Sequence, residues 1–210
     1  MRIGVIDVGN TRTKRAVWDG KRMRPWAGGA VDVWTGCRVG KGALPPGTLL
    51  LGRDFPPLVK NLTRQPGKVG ADRLAQASAA WRRVRGACAV VSLGTAITID
   101  MVNARGQFSG GLIAPGLRLM ARVLHEHTAL LPEVAPVRRR SPVGRDTREA
   151  LEAGISFAAS GLICEALRGF KGLVLGTGGD APLFRDHFDA VVPGLALEGV
   201  LHSYLCSLPS

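Results

Sequence analysis

Short apolar runs that end at small polar residues dominate the pattern of this sequence. The first run, Arg2 to Val8, is rich in β-branched residues and stops at the turn signal Gly9-Asn10. A second strand-like run follows from Thr13 to Trp18. The two runs predict an opening β-hairpin. Its tip brings together a carboxylate, a flexible backbone, small polar side chains and an ammonium group: Asp7, Gly9, Asn10, Thr11 and Lys14.

This predicted tip has the groups that a nucleotide phosphate site needs, although an ordinary hairpin with a polar tip has the same pattern. Glycine lets backbone N–H groups approach phosphate oxygens, and Lys14 can neutralise their charge. Asp7 offers an oxygen ligand of the kind that holds Mg²⁺ together with phosphate and water. The hairpin alone leaves both interpretations open.

The remaining periodicity predicts an α/β chain. Further strands are predicted at 26–34, 48–51, 87–91, 97–102, 107–114, 173–175 and 190–192, with a Gly- and Pro-rich loop at 36–47. Helices are predicted at 56–62, 69–85, 117–131, 145–170 and 194–208. A group of strands followed by a helix, a strand and a helix occurs twice in loose form. This layout predicts two α/β halves, residues 1–86 and 87–210, with a cleft between them.

Composition narrows the class of protein. With 210 residues and 46% hydrophobic content, the chain can bury a sizeable core. It has no apolar run long enough for a membrane helix and no signal-peptide pattern, so we expect a cytoplasmic protein without a membrane partner. The four cysteines are far apart, which argues against a zinc site or a disulfide framework.

The net charge of +12 fits attraction to anionic ligands such as nucleotides. Nucleic acid would be attracted too, but aromatic residues are few and none is interleaved with a basic stretch, which argues against it as a partner. The five arginines within residues 137–148 are explained most simply as a solvated loop face.

Several familiar motifs are excluded. The sequence has neither a P-loop nor a GxSxG nucleophile elbow. Gly176 to Ala181 fits GxGxxA after a strand, but Asp189 precedes the next strand instead of ending it, so we reject a dinucleotide-binding fold. His125 and His127 are two residues apart on a predicted helix and face different sides, which argues against a metal pair.

What remains is a set of small-residue turns, each placed directly after a strand. They lie at Asp7 to Thr11, Ser92 to Thr95 and Gly176 to Asp180. Three such turns facing one cleft could hold the two ends of a nucleotide. Asp72 stands in the first turn of a predicted helix, where a carboxylate is also an ordinary cap.

Taken in order, these motifs resemble those of type III pantothenate kinases, members of the actin-like ATPase superfamily. The resemblance implies a duplicated actin-like ATPase fold (ribonuclease H-like) with a nucleotide cleft between its two α/β halves. The matching segments run along nearly the whole chain: Asp7 to Lys14, Gly70 to Arg73, Gly94 to Asp100, Gly110 to Gly116, Thr147 to Gly154 and Thr177 to Ala181.

The resemblance also implies an activity, the ATP-dependent phosphorylation of pantothenate to 4'-phosphopantothenate, the first step of coenzyme A synthesis. Asp72 would be the general base and Asp7 would hold Mg²⁺. The residues implied to bind ATP are Asp7, Val8, Gly9, Asn10, Thr11, Arg12, Thr13, Lys14, Thr95, Gly178 and Gly179. Those implied to bind pantothenate are Gly70, Ala71, Asp72, Arg73 and Thr147, the last of which would reach the partner's pocket in a homodimer.

Two departures from the family pattern bear on activity. Ser92 stands where the family has an aspartate that binds a monovalent cation, K⁺ or NH₄⁺, and its hydroxyl brings no charge. Thr63 stands where the family has a tyrosine near the substrate. A non-catalytic relative with an accessory role, or a kinase for another small hydroxylated acid, therefore stays open beside the pantothenate kinase.

Overall fold

A computed structural model describes residues 1–209, which form α-helices, 3₁₀ segments and two β-sheets. The strands are β1 Ile3–Val8, β2 Thr13–Trp18, β3 Met23–Pro25, β4 Val33–Arg38, β5 Leu49–Leu50, β6 Lys60–Asn61, β7 Cys88–Leu93, β8 Ala96–Val102, β9 Gln107–Pro115, β10 Leu173–Thr177 and β11 Ala190–Val191. The α-helices are α1 Ala71–Val84, α2 Leu117–Glu126, α3 Thr147–Ala166 and α4 Leu195–Ser207. Two 3₁₀ segments lie at Pro66–Lys68 and Ala181–His187.

The chain divides into two compact units. The first unit comprises residues 1–88, 101–110 and those from Gly194 onward, and the second comprises 89–100 and 111–193. Both units are discontinuous in sequence, whereas the predicted halves 1–86 and 87–210 are continuous. That division into halves stays a prediction.

The first unit is built around a five-stranded sheet of order β3-β2-β1-β4-β5. The apolar strand β1 lies in its middle, antiparallel to β2 and parallel to β4. Ile3 and Val5 point from β1 into a core that also contains Ala75 of α1 and Val200 of α4. Side chains alternate along a strand, so Asp7 continues the row that begins with Ile3 and Val5.

Helices α1 and α4 pack closely against each other within this unit. A Cβ atom added to Gly199 of α4 would lie 1.7 Å from the carbonyl oxygen of Ala75. Only glycine permits this approach, because the atom in contact is backbone and has no rotamer through which to move away. The small residues of α1 and α4 thereby set the distance between the two helices.

Replacing Gly199 with alanine is expected to destabilise the protein by about 1–3 kcal/mol through overpacking. For a chain of this size that corresponds to a Tm lower by roughly 2–12 °C. Gly161→Ala in α3 is the matched control, since nothing lies within 4 Å of its added Cβ. There we expect a Tm that is unchanged or raised, because alanine is the better helix former. Equal Tm values for both variants in a thermal melt would contradict the packing argument.

The second sheet has the order β11-β10-β7-β8-β9-β6. Strand β7 is buried along nearly its whole length, as its apolar sequence predicts. In the second unit α2 contacts α3, and α3 contacts the 3₁₀ segment Ala181–His187. Within residues 1–209, no helix is long and apolar enough to cross a bilayer.

The structure confirms the opening hairpin, the helices that became α1, α3 and α4, and the strands that became β7 to β10. The predicted strand 26–34 is wrong: Gly28 and Gly29 have φ values of 111° and 94°, which end the extended chain before β4 begins. The loop predicted at 36–47 begins later, because β4 continues to Arg38.

Two helix predictions also need correction. The predicted helix 56–62 is wrong, because the segment instead contains β6, which pairs with the distant strand β9. The helix predicted at 117–131 ends at Glu126, and the Thr128 hydroxyl donates to the carbonyl of Leu124 at 2.6 Å. That hydrogen bond satisfies a carbonyl at the helix end that has no partner in a further turn.

Candidate active site

Asp7 is held at the carboxyl end of the central strand of the first unit. It lies opposite Lys14 in the antiparallel register with β2 and opposite Cys37 in the parallel register with β4. The Cys37 thiol donates a hydrogen bond to Asp7 Oδ1 at 3.4 Å. One carboxylate is therefore flanked by an ammonium-bearing residue on one neighbouring strand and a buried thiol on the other.

Burial dominates the electrostatics of Asp7 and raises its pKa. The hydrogen bond from Cys37 and the charge of Lys14 act in the opposite direction, while the carboxylate of Asp72 raises the pKa further. Burial next to Asp7 also raises the pKa of the Cys37 thiol well above its usual value. Cys37 is thus a neutral donor, and a nearby cation would favour the charged form of Asp7.

The hairpin tip beyond Asp7 is exposed, and its backbone is contacted by the loop that contains Val39 and Gly40. The amide of Gly9 donates to the carbonyl of Arg12 at 3.1 Å, which closes the tip. Val8 is buried, and its carbonyl accepts hydrogen bonds from the amides of Val39 and Gly40, both at 3.0 Å. An added Cβ on Gly40 would lie 2.2 Å from the carbonyl oxygen of Gly9.

Most of the predicted ligand residues of the tip are exposed to solvent. These exposed residues are Asn10, Thr11, Arg12, Thr13 and Lys14, whereas Gly9 is half-buried. A rigid turn with exposed hydroxyl, amide and ammonium groups is the form in which a phosphate chain can be bound.

Asp72 lies in the first turn of α1, with Gly70 as the N-cap residue and the half-buried Ala71 as the first helical residue. A Cβ on Gly70 would lie 2.6 Å from Asp72 Oδ1 and 3.4 Å from Val39 Cγ1. A larger residue at this position would displace the Asp72 carboxylate, which folds back over Gly70.

Burial raises the pKa of Asp72. The backbone amides of Arg73 and of Asp72 itself and the Arg73 charge partly oppose this shift. The charges of Asp7 and Asp72 also interact, since Asp72 raises the pKa of Asp7. Two half-buried carboxylates whose charges interact thus lie in the first unit, as in sites that bind a cation or accept a proton.

Arg73 and Thr63 lie close to residues of β9 in the same unit. The Arg73 guanidinium lies 5.7 Å from the centre of the Phe108 ring, a stacking contact that limits its freedom. The Thr63 hydroxyl donates to Asn61 Oδ1 at 2.9 Å. An added Cβ on Gly110 would lie 3.6 Å from the Thr63 methyl group.

In the second unit, the turn after β7 and the start of α2 meet. The Gly116 amide donates to the Thr95 carbonyl at 3.0 Å, and a Cβ on Gly116 would lie 2.1 Å from the carbonyl oxygen of Gly94. Thr95 is exposed. The glycine before α2 is therefore needed for the helix N-terminus to approach the Gly94-Thr95 turn. Helix N-termini favour anions such as phosphate.

The turn after β10 packs on the same strand end. Gly178 has a φ of 96°, and its added Cβ would lie 2.2 Å from the Leu93 carbonyl oxygen, to which the Asp180 amide donates at 3.1 Å. Nothing lies within 4 Å of an added Cβ on Gly179, so the space beside it is open. Leu93, Gly178 and Thr95 are thus brought together in the second unit.

Ser92 and Thr147 are the remaining predicted site residues of the second unit. Ser92 is half-buried near the end of β7, at the position where the resemblance placed a cation ligand. Thr147 is the first residue of α3 and is exposed. It lines an apolar groove of about 640 Å³ between α2 and α3.

The candidate metal ligands do not form a cluster in the described residues. Within residues 1–209, no three His, Cys, Asp or Glu side chains are grouped as metal ligands. His125 Nδ1 lies 2.8 Å from the Leu131 carbonyl oxygen, and the backbone amide of His127 donates to the Val123 carbonyl at the end of α2. Asp7 and the exposed tip fit Mg²⁺ of the kind that arrives with a nucleotide and keeps most of its water ligands.

Four features of the site are not evident from the sequence. Cys37, the Val39-Gly40 support and the Phe108 stack depend on strand register and tertiary contacts. Arg118 is the fourth: it lies in the first turn of α2 and is 3.3 Å from Asp180 Oδ1. Its place just after the Pro115-Gly116 pair was the one available signal.

Comparisons with known proteins identify the family of this chain. A family model described as type III pantothenate kinase matches residues 48–168. A type III pantothenate kinase of Dehalococcoides mccartyi is 36% identical over 165 residues, covering 74% of this chain and 63% of the relative. One from Paramagnetospirillum magneticum is 41% identical over 149 residues, covering 67% and 57%. The chain thus spans about three-fifths of the length of these curated relatives.

Among solved structures, a Baf family protein from Campylobacter jejuni matches with a TM-score of 0.67 and 19% identity, covering 97% of both chains. This likeness concerns the fold, and the predicted α/β class is confirmed. The family match covers more than half of the sequence. The chain belongs to the type III pantothenate kinase family.

Proposed function

We propose that this protein transfers the γ-phosphoryl group of ATP to the primary hydroxyl of pantothenate, giving ADP and 4'-phosphopantothenate. The observation that supports this most is the arrangement in the first unit. Asp72 is a half-buried carboxylate with a raised pKa in the first turn of a helix, and Asp7 is a second one with Lys14 opposite it across the strand pair. Family membership supplies the substrate.

Asp72 is the proposed general base. In the transfer, the hydroxyl oxygen of pantothenate forms a bond to the γ-phosphorus, and the bond from that phosphorus to the β–γ bridging oxygen breaks. Asp72 takes the hydroxyl proton, and ADP leaves with the bridging oxygen. Phosphoryl transfer demands mainly positioning and charge neutralisation, which fits a site with one base and several phosphate contacts.

The hairpin tip is proposed to bind the phosphate chain. Asn10, Thr11 and Thr13 offer polar side chains, Lys14 and Arg12 offer positive charge, and Val8 and Gly9 supply backbone held by the loop beneath. Asp7 would hold Mg²⁺, which neutralises phosphate charge when it is bound. The residues near Asp7 fit this ion, because the half-buried carboxylate of Asp7 interacts with a second carboxylate, Asp72.

The remaining ligand contacts are proposed from the position of each residue in its own unit. Thr95 faces solvent beside the N-terminus of α2, where a phosphate is favoured. Gly178 packs on the end of β7 and Gly179 beside it borders open space, an arrangement suited to the nucleoside end of ATP. Gly70, Ala71 and Arg73 surround Asp72 and are proposed to line the pantothenate site. We also propose that the enzyme acts in the cytoplasm.

A monovalent cation, K⁺ or NH₄⁺, is proposed to bind near Ser92. Because a hydroxyl is a neutral ligand, we expect weak dependence on this cation, and Ser92→Asp should increase the dependence by adding a charge. The measurement is turnover against KCl concentration at constant ionic strength, with Ser92→Asn as the neutral control. Flat titrations in the unchanged protein and in Ser92→Asp alike would remove Ser92 from cation binding.

A homodimer is proposed, with the substrate site near the subunit interface. The groove between α2 and α3 is lined almost wholly by apolar side chains, and large hydrophobic residues beside it, Val123 and Leu124, are partly exposed. Thr147 lines the same groove and is proposed to contact pantothenate bound to the partner. A second copy would remove this apolar surface from water.

The experiment that tests the proposal measures ADP release with Mg-ATP and KCl in the presence of pantothenate or of other small hydroxylated acids. Release that depends on pantothenate supports the proposed function. Release that depends on another acid would keep the kinase chemistry and replace the substrate. The absence of release with every acid, while the protein still binds nucleotide, would favour the accessory role.

A further inference from the structure

Cys164 and His187 form a side-chain pair in the second unit that the proposed kinase chemistry does not use. Cys164 lies near the end of α3 and is an exposed free thiol. His187 ends the 3₁₀ segment Ala181–His187, and its Nδ1 atom lies 3.7 Å from Cys164 Sγ. This distance is within the range of a hydrogen bond that involves sulfur.

The neighbouring arginine fixes which nitrogen of His187 bears the proton. Arg138 Nη2 lies 3.2 Å from His187 Nε2. A guanidinium group can only donate, so Nε2 must accept, and the proton of the neutral ring must lie on Nδ1. That N–H therefore points at Cys164 Sγ.

The Arg138 side chain is held beside His187 by further contacts. Its Nη2 also donates to Asp186 Oδ2 at 3.2 Å, and its guanidinium lies 5.1 Å from the centre of the Phe184 ring. The Arg138 side chain is only 18% exposed, so it has little freedom to leave the histidine. The order of contacts is therefore Asp186, Arg138, His187 and Cys164.

The charges around His187 favour its neutral form. Burial is the largest cause and lowers the pKa of His187; Asp186 raises it, and Arg138 lowers it further. Arg140 lies 3.7 Å from Asp186 and weakens the effect of that carboxylate. On α3, Glu165 beside Cys164 is paired with Arg168, so its charge is partly neutralised.

We propose that Cys164 is a thiol-modification site that reacts with small disulfides, and that His187 activates it. A hydrogen bond donated by the imidazole N–H stabilises the thiolate, which is the reactive form. The thiolate forms a bond to one sulfur of the disulfide, the S–S bond of the reagent breaks, and the released thiolate takes up a proton. The products are a mixed disulfide on Cys164 and one small thiol, with no other oxidant needed.

The same chain offers an internal reference. Cys206 is the other exposed free cysteine, and no hydrogen bond joins it to a histidine in the described part of the chain. Cys37 and Cys88 are buried, and burial raises the pKa of Cys88 to about 11, so both should react slowly. The ratio of the Cys164 rate to the Cys206 rate therefore measures activation directly.

The test treats the whole protein with a limiting amount of 4,4'-dithiodipyridine and follows each cysteine by peptide mass mapping. We expect Cys164 to react roughly tenfold faster than Cys206, because the imidazole N–H stabilises the negative charge on the reacting sulfur. His187→Phe removes the N–H and keeps an aromatic ring between Phe184 and Phe188, and it should bring the ratio close to one.

Two results would overturn the proposal. One is a ratio near one in the unchanged protein, and the other is an undiminished ratio in a folded His187→Phe variant. If that variant does not fold, as judged by circular dichroism, the ratio in the unchanged protein decides alone. The readout does not involve phosphoryl transfer, so it stands independently of the proposed kinase activity.

Discussion

Asp72→Asn is expected to lower turnover by roughly 10²- to 10⁴-fold, the range typical of a lost general base. Asparagine has nearly the same shape as aspartate but cannot take the hydroxyl proton. Nucleotide affinity, measured by calorimetry in the same preparation, should change little, because the proposed phosphate contacts lie on the hairpin tip. A large loss of kcat with an almost unchanged nucleotide Kd is the expected pattern.

The matched control is Asp54→Asn, which changes another carboxylate of the first unit. Asp54 pairs with Arg53 at 2.7 Å and has no proposed role in catalysis. Its turnover should equal that of the unchanged protein. Equal turnover in Asp72→Asn as well would remove Asp72 from the mechanism.

The pH dependence of kcat is a second test of Asp72 as the general base. A base works only when it is deprotonated, and burial raises the pKa of Asp72 above its ordinary value of 3.8. Activity should therefore fall as the pH is lowered through this raised pKa, at a higher pH than an exposed aspartate would give. An acid limb at or below the ordinary value would contradict the assignment.

Asp7→Asn should have the second large effect, a loss of roughly 100-fold or more in kcat/KM for Mg-ATP. The amide brings no charge to hold Mg²⁺ beside the phosphates. The same variant should be at least as stable as the unchanged protein at neutral pH. Burial raises the pKa of Asp7, which means that folding disfavours its charged form.

The sign of this stability effect can be checked against pH. A carboxyl group whose pKa is raised on folding destabilises the fold above that pKa, and the cost disappears as the group becomes protonated. The Tm difference between Asp7→Asn and the unchanged protein should therefore be positive near neutral pH and shrink toward about pH 4.

Asp19→Asn, just after β2, changes a carboxylate whose pKa is shifted in the opposite direction from that of Asp7. Hydrogen bonds from the amides of Arg22 and Lys21 lower the pKa of Asp19, so its charged form favours folding. We expect the Tm of this variant at neutral pH to be unchanged or lower, and its activity to be normal. An Asp7→Asn variant that is active and less stable at neutral pH would contradict both proposed properties of Asp7.

The elements with clear periodicity were predictable from the sequence. The opening hairpin and α1 follow directly from alternating or helical spacing of apolar residues. The errors fall where backbone conformation overrides pattern. Gly28 and Gly29 break an apparent strand through their positive φ angles, and the segment predicted as helix 56–62 is recruited into a sheet. Short edge strands such as β6 depend on a distant partner, β9, and have no local signal.

For the site, the sequence identified which residue types were available but not how they are held. Turn signals and family motifs predicted Asp7, Lys14 and Asp72 together. The thiol donor Cys37 could not be predicted, because it depends on the parallel register between β1 and β4. The contact of the Val39-Gly40 loop with the tip could not be predicted either, because it depends on the close approach of the Gly40 backbone to Gly9.

The most direct test of the central claim is to identify the phosphorylated product. The protein is incubated with Mg-ATP labelled with ¹⁸O at the γ-phosphoryl group and with pantothenate, and the acid is analysed by mass spectrometry and ³¹P NMR. The account predicts a labelled phosphate ester on the primary hydroxyl of pantothenate, formed by the unchanged protein and strongly reduced in Asp72→Asn. ATP hydrolysed to labelled inorganic phosphate, with pantothenate unmodified, would contradict it.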